Sequence, residues 1–430
     1  MRRVVRVLVM VPIGCLVVST WLARWHVILT GSMAPALLGA HCDVTCHDCG
    51  FRYAMDAERP PQYGQRVVCP NCGYAEELKA ATEHPGNRVL VARSIYSLRP
   101  PERWEMVTCR LPDRPGAFGV KRVVGLPGER ILLRGGDVYI DGYLARKTLA
   151  QQQAMAILVH DADYPPGKTS NAKPRWRKDS NYTGWKREGQ AFVYHPIHSL
   201  ADWLMYHHEH RQAAPPHRVV EAPVDDRYGY NQTLPIRDLH PMRDLMLTFR
   251  VRHSSDATWV VRATDPPTVF DATFRASDEQ LILYRDGKEI LKRTIPLGEG
   301  EHTLVVSLFD RRYEIALDGR SLYQMDLDTS DLTTEPSSEP FAIGPLSGFV
   351  EVRELRVWRD VYYTHPPQLT TPRNRSTARA LFQPYTLGPD EFFVLGDNSP
   401  RSLDSRYAAF GPAIPRSLLV GSPCWKIKSN

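Results

Sequence analysis

Residues Val27–Gly50 read VILTGSMAPALLGAHCDVTCHDCG, and the reading of this stretch decides the fold. A turn, Gly31-Ser32-Met33-Ala34-Pro35, follows closely on a long apolar run, and a cluster of cysteines follows the turn. The run itself, Val7 to Ala23, carries no charge. At about 1.5 Å per helical residue it reaches roughly 26 Å, the scale of a bilayer's hydrocarbon core. Arg2, Arg3 and Arg6 precede it and only Arg24 follows closely. That asymmetry places the N-terminus in the cytoplasm and everything after Trp25 outside. A cleaved secretory signal is the competing reading, because "VVSTWLA" offers small residues near a cut. The retained anchor is preferred: the apolar stretch is longer than a signal needs, and spans tolerate Pro12 and Gly14. Either way the rest of the chain is exported.

Composition bounds what that exported part is. A chain of 430 residues exceeds one ordinary core, so several units are expected. Its 43% hydrophobic and 10% aromatic content is that of folded protein, which excludes large-scale disorder. The net charge of +6 is spread over interspersed acids and bases rather than arms or stripes, so nucleic acid is not an expected partner.

Working outward from the turn, residues 83–163 carry short alternating segments: "NRVLVARSIY", "FGVKRVVGL" and "RILLRGGDVYIDGYL". Pro127-Gly128, Gly135-Gly136 and Asp141-Gly142 separate them, a pattern of β-hairpins. From about Asn171 to His240 the periodicity fades, and "HSLADWLMYHHEHRQ" reads as the one helix there. Beyond it "RDLMLTFRV", "QLILYRDGKEILKR", "EHTLVVSLFD", "RYEIALDGRSLYQM" and "GFVEVRELRVWRDVYY" alternate at period two. Asp286-Gly287 and Asp318-Gly319 fall where hairpin turns belong, so an antiparallel sandwich of jelly-roll type is expected. "EFFVLGDNSPRSLDSRYAAFGPAIPRSLLVG" closes the chain as a further β-like segment.

The turn serine raises a question of chemistry. A serine hydroxyl is a poor nucleophile at neutral pH and needs a base within hydrogen-bond reach. A lysine serves if burial among apolar neighbours strips its proton. In "GVKRVVGLPG" the strand period sets Lys121 on the face of Val123, leaving Arg122 and Val124 on the other, so Lys121 points into an apolar site and Arg122 outward.

Three boxes occur in order: "GSMAP" just beyond the anchor, "KRVVGLPGE" and "GDNSPRSLDSR". Together they resemble the bacterial type I signal peptidase family, and "GNRVLV" and "DVYIDG" look like further strands of it. The resemblance implies a membrane-bound serine endopeptidase that removes N-terminal signal peptides through a Ser/Lys dyad. On its terms Ser32 is the nucleophile and Lys121 the general base. The Ser32 backbone N–H and the Thr30 hydroxyl form the oxyanion hole. Ser402 hydrogen-bonds the base, Asp404 and Arg406 hold the site together, and Asp397 and Asn398 open the same box. Ser399, Pro400 and Arg401 depart from the family's usual Arg-Asp-Asn, though the box keeps its length. "RPPERWEMVTC" also departs from the family's Arg-Gly-Asp pattern. The implied substrates are preproteins with Ala-x-Ala-like cleavage sites, added as a strand beside the catalytic unit. The implied partners are the bilayer and the protein export machinery. The implied location is the cytoplasmic (inner) membrane, single-pass, with the catalytic unit outside. The spacing then has a reason: only Arg24 to Thr30 separates the span from Ser32, which keeps the nucleophile at the membrane surface.

The cysteines form a second pattern. Cys46-x-x-Cys49 and Cys69-x-x-Cys72, each followed by glycine, have the spacing of a zinc ribbon with four thiolate ligands. A pair of disulfides is the alternative for an exported protein, although Cys-x-x-Cys disulfides are usually strained or redox-active. Cys42 is a spare neighbour. The histidines of "YHHEHR" lack metalloprotease spacing and read as a solvated helix face.

The expected fold is mainly β, with a division into four parts. Residues 1–25 are the anchor; 26–41, 83–163 and 361–430 the catalytic domain; 42–82 an inserted zinc ribbon; and 164–360 an inserted β-sandwich. The sandwich resembles laminin-G or concanavalin-like modules in strand pattern only, and a spacer or docking role is preferred for it over carbohydrate binding. Two rival functions follow. A self-cleaving repressor-type peptidase shares the dyad but would lack an anchor. A catalytically inactive, anchored binding protein would use the sandwich for carbohydrate or protein recognition.

Overall fold

The computed structural model describes residues 23–58, 66–77, 82–167, 172–180, 182–197, 201–211, 219–234, 237–328, 334–365, 379–411 and 413–427. The expected anchor lies outside them except for its last three residues, Ala23 to Trp25, which open a strand. Among the described residues no helix is long and apolar enough to cross a membrane.

The chain is mainly β. One seven-stranded sheet is assembled from both ends of the sequence: β1 (Ala23–Val27), β2 (Arg88–Ala92), β3 (Met106–Arg110), β4 (Phe118–Gly125), β5 (Glu391–Leu395), β6 (Ile414–Pro415) and β7 (Leu419–Ile427). Their spatial order is β1-β2-β7-β3-β4-β5-β6. β4 lies between β3 and β5, and both of its faces are covered. Val123 packs with Val107 and Val394 on one side, and Val124 with Trp104 and Leu395 on the other. A four-stranded sheet beside it runs Tyr143–Leu144, Asp137–Ile140, Arg130–Arg134, Tyr385–Thr386.

Two larger sheets occupy most of residues 157–359, one containing Leu245–His253, Glu301–Ser307 and Val350–Arg359, the other Thr258–Asp265, Thr268–Arg275 and Phe341–Ser347. They share one core in which Leu247 and Phe249 of the first meet Trp259 and Phe274 of the second, so the pair is sandwich-like. The sharp turns fall where the sequence places them. Gly135-Gly136, Asp141-Gly142, Asp286-Gly287 and Asp318-Gly319 each have positive φ at both residues, as two-residue hairpins of this hand require.

One element differs. Where "HSLADWLMYHHEHRQ" suggested a helix, Leu204–Tyr206 and Glu209–Arg211 are strands. Leu204 and Met205 pair with Ile343 and Ala342, and Tyr206 pairs with Trp176. The sheet offers this aromatic-rich stretch ladder partners and a core, which override its weak helical period.

Candidate active site

The turn carrying Ser32 is held against the C-terminal box by backbone contacts. The Asn398 N–H donates to the Ser32 carbonyl at 3.0 Å, and Asn398 Nδ2 to the Gly31 carbonyl at 2.9 Å. Gly396 is required at the closest approach: a Cβ there would sit 2.4 Å from the Ser32 carbonyl oxygen and 2.3 Å from Ser402 Oγ. Ser32 is half-buried, and its Oγ accepts a hydrogen bond from the exposed Thr30 hydroxyl at 3.4 Å.

Lys121 reaches the same place from β4. It is 4% exposed, and its Nζ donates to Ser402 Oγ at 2.9 Å. Burial drives its pKa below the ordinary lysine value, and the negative charge of Asp404 only partly opposes this. Asp404 is itself fully buried. Burial would raise its carboxyl, but the charge and hydrogen bonds of Arg406, with Lys121 and Ser402, hold it below the usual range. Arg406 Nε and Nη2 bracket that carboxylate at 2.8 and 2.9 Å, while Nη1 ties down Thr364 and Ser399. Thr30, Ser32, Lys121 and Ser402 line one cavity of about 710 Å³. Among the described residues no hydrogen bond joins Ser32 directly to Lys121; each is engaged by its own hydroxyl partner. Catalytic hydrogen bonds often tighten only when substrate arrives.

Arg122 does alternate with Lys121, but it does not face solvent. It is 4% exposed and forms a two-pronged pair with Asp397, Nε to Oδ1 at 2.7 Å and Nη2 to Oδ2 at 2.5 Å. The reason is that cores pack on both faces of β4, and a strand covered on both faces has no outward side. Asp397 thereby acts as the counter-charge of the base's neighbour. The histidines of 206–211 are not a solvated face either. His208 is buried and hydrogen-bonded with Arg175 and the Tyr206 hydroxyl, both at 2.9 Å. His207 approaches Glu221 and Glu339, but Arg177 already holds the Glu221 carboxylate at 2.8 Å.

The four cysteines of the two knuckles converge. All four sulfurs lie within 4.8 Å of one another, with Cys46 to Cys72 and Cys49 to Cys69 both at 3.7 Å. Sulfurs on a tetrahedral zinc at about 2.3 Å would stand about 3.8 Å apart, so the set fits the metal. Each knuckle turns alike: the Gly50 N–H returns to the Cys46 carbonyl and the Gly73 N–H to the Cys69 carbonyl, both at 2.9 Å, with both glycines at positive φ. None of the described cysteines is in a disulfide, and Cys42 is buried away from the set.

Residues that sequence reasoning did not find also reach this site. Leu234 and Arg237 line the cavity, and Asn231 bonds Asn398. They come from a stretch with no clear period, and nothing in its pattern marks them.

Residues 75–195 and 335–425 match the family described as "Signal peptidase, peptidase S26". A relative named "Probable signal peptidase I-2", from Synechocystis sp., is 34% identical over 61 residues, 13% of this chain and 28% of its own length. These two findings support the signal peptidase family. The matched signal peptidase segments contain Lys121, Ser402, Asp404 and Arg406, and they begin beyond Ser32. The chain resembles solved structures only distantly. A carbohydrate-binding module, CBM66, from Bacillus subtilis is 9% identical with a TM-score of 0.28, covering 43% of this chain and 94% of its own. A β-glucanase from Bacillus licheniformis is 8% identical with a TM-score of 0.27, covering 43% and 92%. At such scores the likeness carries no argument.

Proposed function

We propose that the chain is a membrane-anchored serine endopeptidase that removes signal peptides from exported preproteins through Ser32 and Lys121. The observation that carries this reading is a lysine buried to 4% exposure, bonded to a hydroxyl rather than a carboxylate, lining the same cavity as Ser32. A neutral Lys121 that spends one N–H on Ser402 keeps its lone pair for the Ser32 proton. Lys121 removes that proton, Ser32 attacks the scissile carbonyl, and the Ser32 N–H with the Thr30 hydroxyl receives the developing oxyanion. Lys121 returns the proton to the leaving amine, then draws one from the water that hydrolyses the acyl-enzyme.

In the same reading residues 1–25 anchor the chain in the cytoplasmic membrane, and the catalytic domain, outside it, comprises 26–41, 83–163 and 361–430. Residues 42–82 are a ribbon whose Cys46, Cys49, Cys69 and Cys72 hold a structural zinc, and 164–360 are a β-sandwich set into the catalytic fold. The zinc takes no part in the peptidase step; bound, it would cross-link the two knuckles. Elemental analysis of purified protein should return one zinc per chain, lost in Cys46→Ser/Cys69→Ser.

The test of the enzyme is purified protein in detergent with a preprotein carrying an Ala-x-Ala site. Wild type should cleave at that site, while Ser32→Ala and Lys121→Ala should not. Wild-type rates in both variants would overturn the reading.

A further inference from the structure

A short turn from the sandwich region, Gly229–Asn231, is wedged against the loop that carries Ser32. Tyr230 is fully buried and covers Gly31 so closely that a Cβ there would lie 2.3 Å from its ring. Its hydroxyl donates to the Ala40 carbonyl at 3.2 Å. Next to it, Asn231 and Asn398 exchange amide hydrogen bonds: Asn231 Nδ2 to Asn398 Oδ1 at 2.6 Å, and Asn398 Nδ2 to Asn231 Oδ1 at 2.9 Å. Asn398 is the residue that holds both carbonyls around the nucleophile, Gly31 through its side chain and Ser32 through its backbone.

The turn is fixed from two sides. Gln232 exchanges hydrogen bonds with both backbone groups of Val68, beside the Cys69 knuckle, at 2.6 and 2.8 Å. From the sandwich, Arg359 donates to the carbonyls of Asp226 and Arg227 at 3.1 and 3.2 Å. Asn231 is thus a rigid reference, not a loose neighbour.

We propose that Asn231 is a positioning residue for Ser32, acting through Asn398, so that the sandwich region completes the catalytic loop. This rests on Ser32 being the nucleophile. The reciprocal amide pair admits one orientation of Asn398 only, because turning that amide over would set donor against donor and its oxygen against the Gly31 carbonyl. With the amide locked, the Gly31–Ser32 peptide is held in place, and its N–H is the backbone donor to the oxyanion. A displacement of about 1 Å at such a point costs on the order of 100-fold in rate.

The experiment measures cleavage of an Ala-x-Ala preprotein by the full chain in detergent, for Asn231→Ala, Asn398→Ala, the double variant and Ser32→Ala. Asn231→Ala should lose about 10- to 100-fold in kcat, with KM little changed and the pH profile unmoved, since Lys121 is untouched. The double variant should be no slower than Asn398→Ala alone. Asn231→Asp, nearly isosteric, serves if the alanine fails to fold. It sets a carboxylate against Asn398 Oδ1 and should lose kcat without a large change in melting temperature. Wild-type kcat in the Asn231 variants, a loss confined to KM, or losses that multiply in the double variant would each overturn the proposal. An active Ser32→Ala would instead overturn the reading beneath it, which separates the two failures.

Discussion

Lys121 and Lys147 are both buried to 4% exposure, and their pKa values move in opposite directions. Lys121 meets a neutral hydroxyl, Ser402, and burial lowers its pKa. Burial acts on Lys147 in the same direction, but Asp310 and Asp360 overwhelm it and raise the pKa above the ordinary lysine range. Lys147 Nζ contacts the carboxylates of both, Asp360 at 2.9 Å, and lies 4.7 Å from the centre of the Trp104 ring. Burial by itself therefore does not make a base. The partner decides: a hydroxyl leaves the amine free to lose its proton, and carboxylates turn it into a structural cation. The carboxylate nearest Lys121 in charge, Asp404, is already committed to Arg406.

Exchanging the roles of the two lysines is the way to break this contrast. The largest effect expected is on catalysis. Lys121→Ala should lower preprotein cleavage by about 10⁴-fold or more, as Ser32→Ala should, while Lys147→Met leaves the cleavage rate of the folded protein within a few-fold. Stability should show the reverse. Lys147→Met strands two buried carboxylates and should cost about 3–5 kcal/mol in urea unfolding. Lys121→Met removes an amine with no counter-ion of its own and should cost far less. The sign with pH follows: stability from Lys147 is fully present below the ordinary lysine pKa and is lost only as pH rises through its raised value.

A third variant turns one environment into the other. Ser402→Asp gives Lys121 a carboxylate partner, and its pKa should rise by about one to three units. If the neutral amine is the base, as proposed, the acid limb of kcat/KM should move to higher pH by the same amount. The smallest effect sharpens what holds Lys147. Thr148 caps the helix Leu149–Met155, accepting from the Gln151 N–H at 3.4 Å while Gln151 caps in return. Thr148→Ala should cost about 1 kcal/mol in unfolding, well below the loss for Lys147→Met.

Much of the site could be read from the chain because its chemistry lies in short local patterns. The paired glycines and Asp-Gly turns marked four hairpins, and the Cys-x-x-Cys-Gly knuckles marked a four-sulfur set. The strand period set Lys121 and Arg122 on opposite faces. What the period could not tell is how many faces a strand buries, which depends on its neighbours, so Arg122 was expected in solvent and is buried on Asp397. Lys147 and Asn231 were invisible for a different reason. Their partners, Asp310, Asp360 and Asn398, are far away along the chain, and no local pattern encodes a contact of that kind.

The central claim is that Lys121 is uncharged where the enzyme works. The direct measurement is an NMR titration of lysine side-chain nitrogens in the Ser32→Ala protein, with signals assigned through Lys121→Arg and Lys147→Arg. Lys121 should titrate clearly below the ordinary lysine value of about 10.4, while Lys147 stays protonated to higher pH. A Lys121 signal that titrates at or above that value would contradict the account.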